Sequence, residues 1–415
     1  MPLDPGRTVA ELRELQALTG DEHGAQRLAW TETWARAREW LREKAGDLPV
    51  EYEVDEAGNQ WWTLAGVTER ALLVGGHIDS VPNGGWLDGC LNVVAGLEVL
   101  RRLAGQGDPP VTVRLVNWAD EEGARFVGRG LFGSMSAAGA MDPELHRTLR
   151  DWDGVPLVDA LAAYGIDLDG ALEARRQLRT AAAYAELHIE QGPVLERLGL
   201  PLGVVLGTVG LSRHGVRFAG QTAHAGSTPI VDRRDAFLAA ARWALEVREI
   251  ARRHDGVCTI GSVIARPGIV TAVPGICETT IDQRHLDAGT LAAMVAGAKE
   301  AAERIVREER VELGWEPAMQ IPPQPFHPEL IELAEQAVLE TAGVCHRLPS
   351  GPLHDATYLA ASGVPTVMLF VQSLNGLSHA KEEDTKEEHL HLAVQALDRL
   401  VEKLAAWVAA RNPGS

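Results

Sequence analysis

Two apolar segments, each followed directly by polar residues, limit the fold more than any other feature of the sequence. ALLVGGH (71–77) and VTVRLVNWAD (111–120) are short apolar segments typical of buried strands. Between them, NVVAGLEVLRRLAG (92–105) has the spacing of apolar residues expected of a helix and stops at a glycine. A strand–helix–strand order of this kind indicates a parallel α/β sheet, in which active sites lie at the carboxyl ends of the strands.

The α/β pattern is interrupted in the second half of the chain. Residues 212–326 have the order β-α-β-β-α and close with another strand, whereas helix and strand patterns of the α/β type resume at 328. A chain of 415 residues also favours two or three units over one. We therefore predict a catalytic α/β domain with a central, mostly parallel sheet over 1–211 and 327–415. An α+β domain over 212–326 is predicted to be inserted into it.

Composition excludes several classes of protein. With 58 acidic and 39 basic residues the formal net charge is −19, which argues against binding to nucleic acid or to anionic membranes. No apolar segment approaches the roughly 20 residues of a membrane helix. The N-terminus has no apolar signal-peptide core, and the four cysteines are scattered without a CxxC pair. These features favour a cytoplasmic protein.

Polar clusters follow the predicted strands. His77 ends the first strand, Asp79 lies two residues further on, and Asp88 follows across a glycine-containing loop. A histidine with a carboxylate two residues away can supply a metal-binding imidazole and the acceptor that fixes its tautomer. Polar residues that merely cap a loop are an equally good interpretation of this cluster alone.

Three further clusters favour metal binding over loop capping. Asp120, Glu121 and Glu122 follow a buried strand, and adjacent carboxylates repel one another unless a cation is present, although a solvated charged segment is the common alternative. His188 and His379 follow two more predicted strands, and each alone would more often be a structural histidine. Together the clusters present the ligands that two metal ions require. Nitrogen and carboxylate ligands suit Zn²⁺, and carboxylate-rich pairs also accept Mn²⁺ or Co²⁺.

Seven motifs along the chain resemble those of the binuclear metallo-amidohydrolases. This family includes N-carbamoyl-L-amino-acid hydrolases, β-ureidopropionases and allantoate amidohydrolases, and its superfamily includes aminoacylases and related metallopeptidases. Because the motifs occur in the family's order, chance agreement is very improbable. The motifs are GGHIDSVPNGGWLDG, NWADEEGARF, AELHIEQGPVLE, TAHAGSTP, IDQRHLD, HDATYLA and GLSHAKEE.

The resemblance implies two divalent ions per subunit, zinc, manganese or cobalt. His77 and His188 would each bind one metal side, and Asp88 would bridge the two ions. Glu122 and His379 would complete the coordination of the second metal ion.

The resemblance also implies the residues that act on the reacting atoms. Glu121 would be the general base, taking a proton from the water between the metals and delivering it to the leaving nitrogen. Asp79 would orient His77. The bond between Asp88 and Gly89 would be a cis peptide bond, as is typical after the bridging aspartate of this family.

The substrate contacts follow from the same motifs. Gln191 would contact the ureido or amide group, and Arg284 would hold the substrate carboxylate. His224 would reach into the partner subunit's site and polarise the scissile carbonyl, which implies a homodimer formed through residues 212–326. Without the motifs, His224 would be interpreted as a turn residue and Arg284 as a surface cation.

Two substrate positions depart from the family pattern. Thr271 of TAVPG stands where the family has asparagine, and Leu353 of SGPLHD stands where it has glycine, immediately before His354. All three are predicted substrate contacts. Because the metal and base positions match while these differ, hydrolysis is better supported than any named substrate.

The sequence therefore predicts a metal-dependent hydrolase that cleaves a non-peptide C–N bond of a small, carboxylate-bearing N-carbamoyl amino acid. The products would be the amino acid, ammonia and carbon dioxide. Alternatives within the superfamily are an allantoate or β-ureidopropionate amidohydrolase and an N-acyl-amino-acid amidase or dipeptidase. A non-catalytic binding protein with the same fold is the alternative of another class, and retention of Glu121 with the full ligand set argues against it.

Overall fold

The computed structural model describes residues 2–126 and 130–411 of the chain. These residues form two compact units. The main unit contains the chain up to Gly207 and again from Phe326 onward, and the inserted unit is Thr208–Pro325. The inserted unit of the structure thus begins a few residues before the predicted position 212 and ends next to the predicted position 326.

The first segment of the main unit supplies most of its strands. Its elements are α1 (Pro5–Thr19), β1 (Gly20–Asp21), β2 (Gly24–Ala25), α2 (Glu32–Lys44), β3 (Glu51–Val54), β4 (Gln60–Leu64), β5 (Ala71–His77), α3 (Cys90–Ala104), β6 (Thr112–Trp118), α4 (Phe132–Ala137), α5 (Pro143–Arg147), α6 (Leu157–Ala162), a 3-10 helix (Ala171–Leu178), β7 (Ala181–Ile189), α7 (Val194–Leu198) and β8 (Leu202–Thr208).

The inserted unit has an α+β order. Its elements are β9 (Gly210–Ala219), β10 (Ala223–His224), a 3-10 helix (Ile230–Asp232), α8 (Ala236–Arg253), β11 (Val257–Arg266), β12 (Ala272–Val273), β13 (Ile276–His285), α9 (Ala288–Glu309), β14 (Glu312–Ile321) and β15 (Gln324–Pro325). The four long strands form an antiparallel sheet in the order β11-β13-β9-β14. Side chains of α8 and α9 bury its core, with Trp243 and Met294 fully enclosed.

The last segment returns to the main unit and fills the centre of its sheet. Its elements are α10 (Pro328–Ala342), β16 (Arg347–Ser350), α11 (Asp355–Ala361), β17 (Thr366–Val371), a 3-10 helix (Leu374–Gly376) and α12 (Glu387–Ala410).

Within the main unit the sheet runs in the order β8-β17-β7-β5-β6-β4-β3, and β16 also pairs with β8. The four middle strands, β17, β7, β5 and β6, are parallel, and all residues of β5, β6 and β17 are buried. Strands covered on both faces have the continuous apolar sequences from which they were predicted. The predicted α/β class is confirmed, but the sheet as a whole is mixed, because β8, β4 and β3 are antiparallel to their neighbours.

Residues 139–182 form a segment of short elements. They contain α5, α6 and the 3-10 helix, all short. Gly154 and Gly165 lie in turns and have φ values of 82° and 76°, in the left-handed region that favours glycine. Among the described residues, no helix combines the length and apolar character needed to cross a membrane.

Candidate metal centre

The carboxyl ends of the four parallel strands bring the predicted site residues of the main unit together. His77 is the last residue of β5, and His188 lies one residue before the end of β7. Glu121 follows β6, with Asp120 before it in a left-handed conformation (φ 56°). His379 follows β17. Parallel strands end at the same edge of a sheet, so residues distant in sequence share one crevice.

His77 and His188 lie on the same side of Asp88 and form one group of potential metal ligands with it. The Nε2 atoms of His188 and His77 are 3.2 Å and 3.7 Å from the Oδ1 atom of Asp88. The two histidine rings stack with centroids 5.9 Å apart. The three ligand atoms lie within 4.8 Å of one another. The structure thus joins the two histidines on one oxygen of Asp88, rather than placing one with each metal as the resemblance implied.

The hydrogen bonds of these histidines leave their Nε2 atoms available. The Nδ1 of His77 donates to the backbone oxygen of Asp79 at 3.1 Å, and the Nδ1 of His188 donates to that of Ile189 at 2.9 Å. A carbonyl oxygen only accepts, so Nδ1 carries a proton and Nε2 is the ring atom that faces Asp88. Burial lowers the pKa of His188, but the Asp88 carboxylate outweighs it and raises that pKa to about 9. A positive charge between these atoms is therefore favourable.

A second group shares the other oxygen of Asp88. The Nε2 atom of His379 is 3.5 Å from the Oδ2 of Asp88 and 3.4 Å from the Oε2 of Glu122. Half of the His379 side chain is exposed, whereas Asp88 and Glu122 are buried, so this side of the centre is the more open one. Asp88 thus faces both groups, as a bridging ligand would.

The carboxylates of the centre repel one another. Burial, together with the Asp355 and Glu122 carboxylates, raises the pKa of Glu121 well above its ordinary value. Burial and the Asp88 carboxylate do the same for Glu122. The Oε2 of Glu121 is 3.6 Å from the Nε2 of His77. Divalent cations offset such repulsion and would restore the ionised carboxylates.

Buried polar atoms without hydrogen-bond partners test whether these residues fit a metal. The Nε2 atoms of His77 and His188 and the Oε1 of Glu122 are buried and have no partner among the described residues. Buried polar groups are nearly always paired, so three unpaired atoms beside a shared carboxylate mark a coordination site. The donor set of imidazole nitrogens and carboxylate oxygens suits divalent transition metals.

Comparison with known proteins agrees with this geometry. The sequence profile of peptidase family M20/M25/M40 matches residues 73–403. The chain belongs to this family. The predicted family and the predicted class of amide-cleaving hydrolase are thereby confirmed.

Two relatives and one crystal structure of this family cover nearly the whole chain. The N-carbamoyl-L-amino acid amidohydrolase of Geobacillus stearothermophilus is 36% identical over 92% of this chain and 94% of its own length. The allantoate amidohydrolase of Escherichia coli K12 is 36% identical over 92% and 93%. An amidase of the hydantoinase/carbamoylase family from Burkholderia multivorans, 31% identical, covers 97% of this chain and 98% of its own, with a TM-score of 0.87.

Asp79 has a different set of contacts from the one predicted for this M20 member. Its carboxylate accepts the backbone N–H groups of Glu121 and Glu122 at 3.3 Å and 3.1 Å. Its Oδ1 is 3.6 Å from the Nδ1 of His77, so the backbone oxygen of Asp79 is the nearer partner of that ring. Asp79 therefore orients His77 through its main chain and fixes the Glu121 loop through its side chain.

Gln191 and His354 lie beside the two metal groups. The Nε2 of Gln191 donates to the Oδ2 of Asp88 at 2.9 Å, whereas its Oε1 is buried without a partner among the described residues. The His354 ring is 4.4 Å from that of His188, and its Nε2 is 2.9 Å from the Oγ of Ser350. Burial and His188 hold the pKa of His354 well below its ordinary value, so it is neutral. Leu353 is half-buried immediately before it.

The other predicted substrate contacts lie in the inserted unit. The Nδ1 of His224 accepts the backbone N–H groups of Gly226 and Ser227 at 3.1 Å each, and the His224 side chain is exposed. Thr271 is exposed and lies next to the short β10–β12 pair that carries His224. Arg284 makes a two-pronged contact with Asp282, at 2.9 Å and 3.3 Å.

Two residues of the centre were missed by sequence reasoning. Ser378 donates through its hydroxyl to the Oδ2 of Asp88 at 2.7 Å. Glu383 is buried, and its Oε1 accepts the backbone N–H groups of Leu87 and Asp88 at 3.0 Å each. Gly85 leaves room for this carboxylate, since a Cβ there would overlap it. Both residues belong to the same GLSHAKEED segment as His379, which is the only signal that could have singled them out.

The prediction of a cis peptide bond after Asp88 is wrong. Within the described residues the cis bond is Arg266–Pro267, and Asp88–Gly89 is trans. The chain reverses instead at Gly89, where φ is 65° and ψ is −49°, and the N–H of Cys90 donates to the backbone oxygen of Asp88 at 2.7 Å. This is a γ-turn of the form that favours glycine.

Proposed function

We propose that this protein hydrolyses the C–N bond of a small N-carbamoyl amino acid and releases the amino acid, ammonia and carbon dioxide. The observation that carries the proposal is the shared carboxylate of Asp88 between two ligand groups, with Glu121 beside them. Two divalent ions per subunit, Zn²⁺, Mn²⁺ or Co²⁺, fit such a pair of groups. The N-carbamoyl-L-amino acid amidohydrolase relative supports the substrate class.

Glu121 is the proposed general base. When bound, the metal ions would polarise the scissile carbonyl and lower the pKa of water held in the crevice. Glu121 would take the proton of that water and pass it to the leaving nitrogen. The Asp79 carboxylate accepts the backbone N–H of Glu121 and would keep this base in place between the two events. The unpartnered Oε1 of Gln191 is suited to accept an N–H of the ureido group.

The inserted unit is proposed to complete substrate binding. Arg284 and Thr271 would hold the substrate carboxylate, and His224 would polarise the scissile carbonyl from the partner subunit of a homodimer. Exposed apolar side chains on this unit support an interface there, among them Leu245 on α8 and Val263 and Ile264 on β11, which is an edge strand. Leu353 and His354 would line the substrate side of the main unit. A cytoplasmic location stays a prediction from the sequence.

Allantoate hydrolysis is the second candidate, favoured by a relative of equal identity. A screen of the purified protein with Mn²⁺, Co²⁺ and Zn²⁺ against carbamoyl, ureido and N-acyl amino acids separates the candidates. Ammonia release from carbamoyl amino acids is the expected result, with the Glu121→Gln variant as the inactive control. A carboxylic acid released without ammonia would favour an acyl amidase, and turnover only of allantoate would favour the second candidate.

A further inference from the structure

Apart from the metal centre, the main unit has a cavity between α2, the β3–β4 hairpin and residues 164–166. Its volume is about 350 Å³, and none of its lining residues is a proposed metal ligand or substrate contact. The residues that give it its chemistry are Trp30, Trp34, Arg38, Tyr52 and Tyr164. Small-molecule sites are typically concave, with aromatic walls and a few polar groups.

The aromatic wall of the cavity is a cluster of three rings. The Trp30 and Trp34 centroids are 4.7 Å apart, and Tyr164 lies edge-on to Trp34 at 5.5 Å. Tyr164 is also 6.3 Å from Trp30. Trp30 and Trp34 are each 2% exposed and hold the cluster rigid, so Tyr164, which is half-buried, is the ring that a ligand can contact.

Arg38 brings a positive charge that forms no ion pair within the described part of the chain. Its guanidinium lies over the Trp34 ring at 4.3 Å, and its Nη1 atom is buried without a hydrogen-bond partner among the described residues. Burial lowers the pKa of Arg38 to about 10, which still leaves it protonated at neutral pH. The carboxylate of Glu39 also lines the cavity, but it is hydrogen-bonded to Arg42. Tyr52, Asp55 and Asp79 raise the pKa of Arg38 but offset only part of the effect of burial.

The polar groups around Arg38 lack acceptors rather than donors. The indole nitrogen of Trp34 is a second buried donor without a partner in the described part of the chain. The amide of Gln60 is already used, since its nitrogen donates to Tyr52 and to the Arg38 backbone and its oxygen accepts from Asn117. A ligand that satisfies this cavity must therefore bring acceptor atoms and negative charge.

We propose that this cavity binds a small organic anion with a planar ring, whose carboxylate pairs with Arg38 and whose ring packs against Tyr164. Arg38 offers a planar fork suited to a carboxylate, and a guanidinium already stacked on an indole loses little freedom on binding. The inference does not depend on the proposed reaction.

The cavity also contacts the loop that carries the proposed base. The indole nitrogen of Trp30 donates to the Oδ2 of Asp120 at 2.9 Å, and Asp120 directly precedes Glu121. On the other side, the loop containing Gly58 leads to Asn59, whose Oδ1 accepts the N–H of Ala119 at 2.9 Å. A ligand on the aromatic wall would thus rest on residues that hold the end of β6.

Equilibrium dialysis of the metal-loaded protein with radiolabelled benzoate tests the proposal, with benzamide as the neutral isostere. We expect one saturable benzoate site outside the metal centre. Arg38→Gln should weaken it about tenfold or more, the usual loss for a charge-assisted pair, and benzamide should bind about tenfold or more weakly for the same reason. Trp34→Phe keeps the ring but removes the indole donor, and should weaken benzoate by a smaller factor.

Arg36→Gln is the matched control, since Arg36 is an exposed arginine on the same helix, and it should leave benzoate affinity unchanged. Asp88→Asn should likewise leave this site intact. Equal binding of benzoate and benzamide would overturn the proposal, as would full affinity in a folded Arg38→Gln protein. Loss of the site in Asp88→Asn would show that benzoate occupies the metal centre instead. If Arg38→Gln does not fold, unchanged affinity in Trp34→Phe would also contradict the proposal.

Discussion

The Oε1 atom of Glu383 accepts the backbone N–H of Asp88 at 3.0 Å, although the two residues are 295 positions apart in the sequence. The same oxygen accepts the N–H of Leu87 at 3.0 Å. Glu383 and His379 lie in one segment, so the chain that supplies one ligand also fixes the backbone of the shared carboxylate. A side chain in this position controls geometry without itself contacting a metal.

Replacement of Glu383 by alanine should therefore destabilise the centre. It leaves two buried N–H groups unpaired, at a cost of about 1–3 kcal/mol each. We expect a lower free energy of unfolding in urea and weaker retention of metal against a chelator. Glu382→Ala is the matched control, because Glu382 is exposed, and it should change neither quantity. Equal metal retention in the two variants would contradict this role.

Removal of metal should lower both stability and activity. The crowded carboxylates of Glu121 and Glu122 have raised pKa values that a bound cation would reverse. A ligand at 100 times its dissociation constant stabilises the native state by about 2.7 kcal/mol, so exhaustive chelation should lower the melting temperature. Calorimetry and turnover before and after chelation, then after adding Mn²⁺ or Zn²⁺ back, measure the effect. Full activity with metal content verified as nil would refute the metal centre.

Glu121→Gln should separate catalysis from metal binding. The substitution keeps the size of the side chain and removes the proton acceptor, so turnover should fall by at least the 10²–10⁴-fold typical of general acid–base catalysis. Metal content, measured by atomic absorption, should stay at the wild-type level. Glu122→Gln provides the contrast, because it should lose metal. Turnover of Glu121→Gln within tenfold of wild type would remove Glu121 from its proposed role.

The parts of the site that could be predicted are those with continuous local patterns. Strands β5, β6 and β17 are buried throughout and largely apolar, because they are covered on both faces, and His77 and Glu121 were found as the polar residues that end such strands. Glu383 could not be found in this way. Its partners are backbone N–H groups, which are the same whatever the side chain, so no residue pattern marks them.

Two other features depend on tertiary contacts in the same way. Asp79 was expected to serve His77 with its carboxylate, but the backbone N–H groups of Glu121 and Glu122 bind that carboxylate instead. The direction of the antiparallel strands at the edges of the main sheet also could not be predicted from the sequence. The direction of a strand is set by turns such as that of Asp55 and Gly58 between β3 and β4. Local periodicity identifies a strand without giving its direction.

Subunit mixing tests the proposed role of His224. His224→Ala and Glu121→Gln proteins should each be inactive as homodimers. If His224 acts on the partner's site, mixed dimers contain one intact site, and random pairing should recover roughly a quarter of wild-type turnover. Exchange between differently tagged subunits is verified by pull-down. No recovery despite verified exchange would place His224 in its own subunit's site or outside the reaction.

Thr271 and Leu353 should bias the substrate toward apolar side chains. Thr271 provides one donor fewer than asparagine, and Leu353 adds apolar bulk where glycine has none. We expect low kcat/KM for allantoate and carbamoyl-glycine and a higher value for a carbamoyl aromatic amino acid. The Thr271→Asn, Leu353→Gly double variant should shift this ratio toward the small polar substrates by about tenfold or more. Wild-type preference for allantoate, unchanged in the double variant, would show that these positions do not set specificity.

The place of β17 in the main sheet also decides when the centre can form. This strand lies between β7 and β8, which precede it in the chain by the whole inserted unit, so the slot between them stays open until β17 has been synthesised. Ser378 and His379 come later still, and the Ser378–Asp88 contact closes a loop of 290 residues. Such distant contacts form late in folding, because long loops are costly to close. We therefore expect a nascent chain to present the group of His77, Asp88 and His188 to a metal ion well before the group that contains His379 can form.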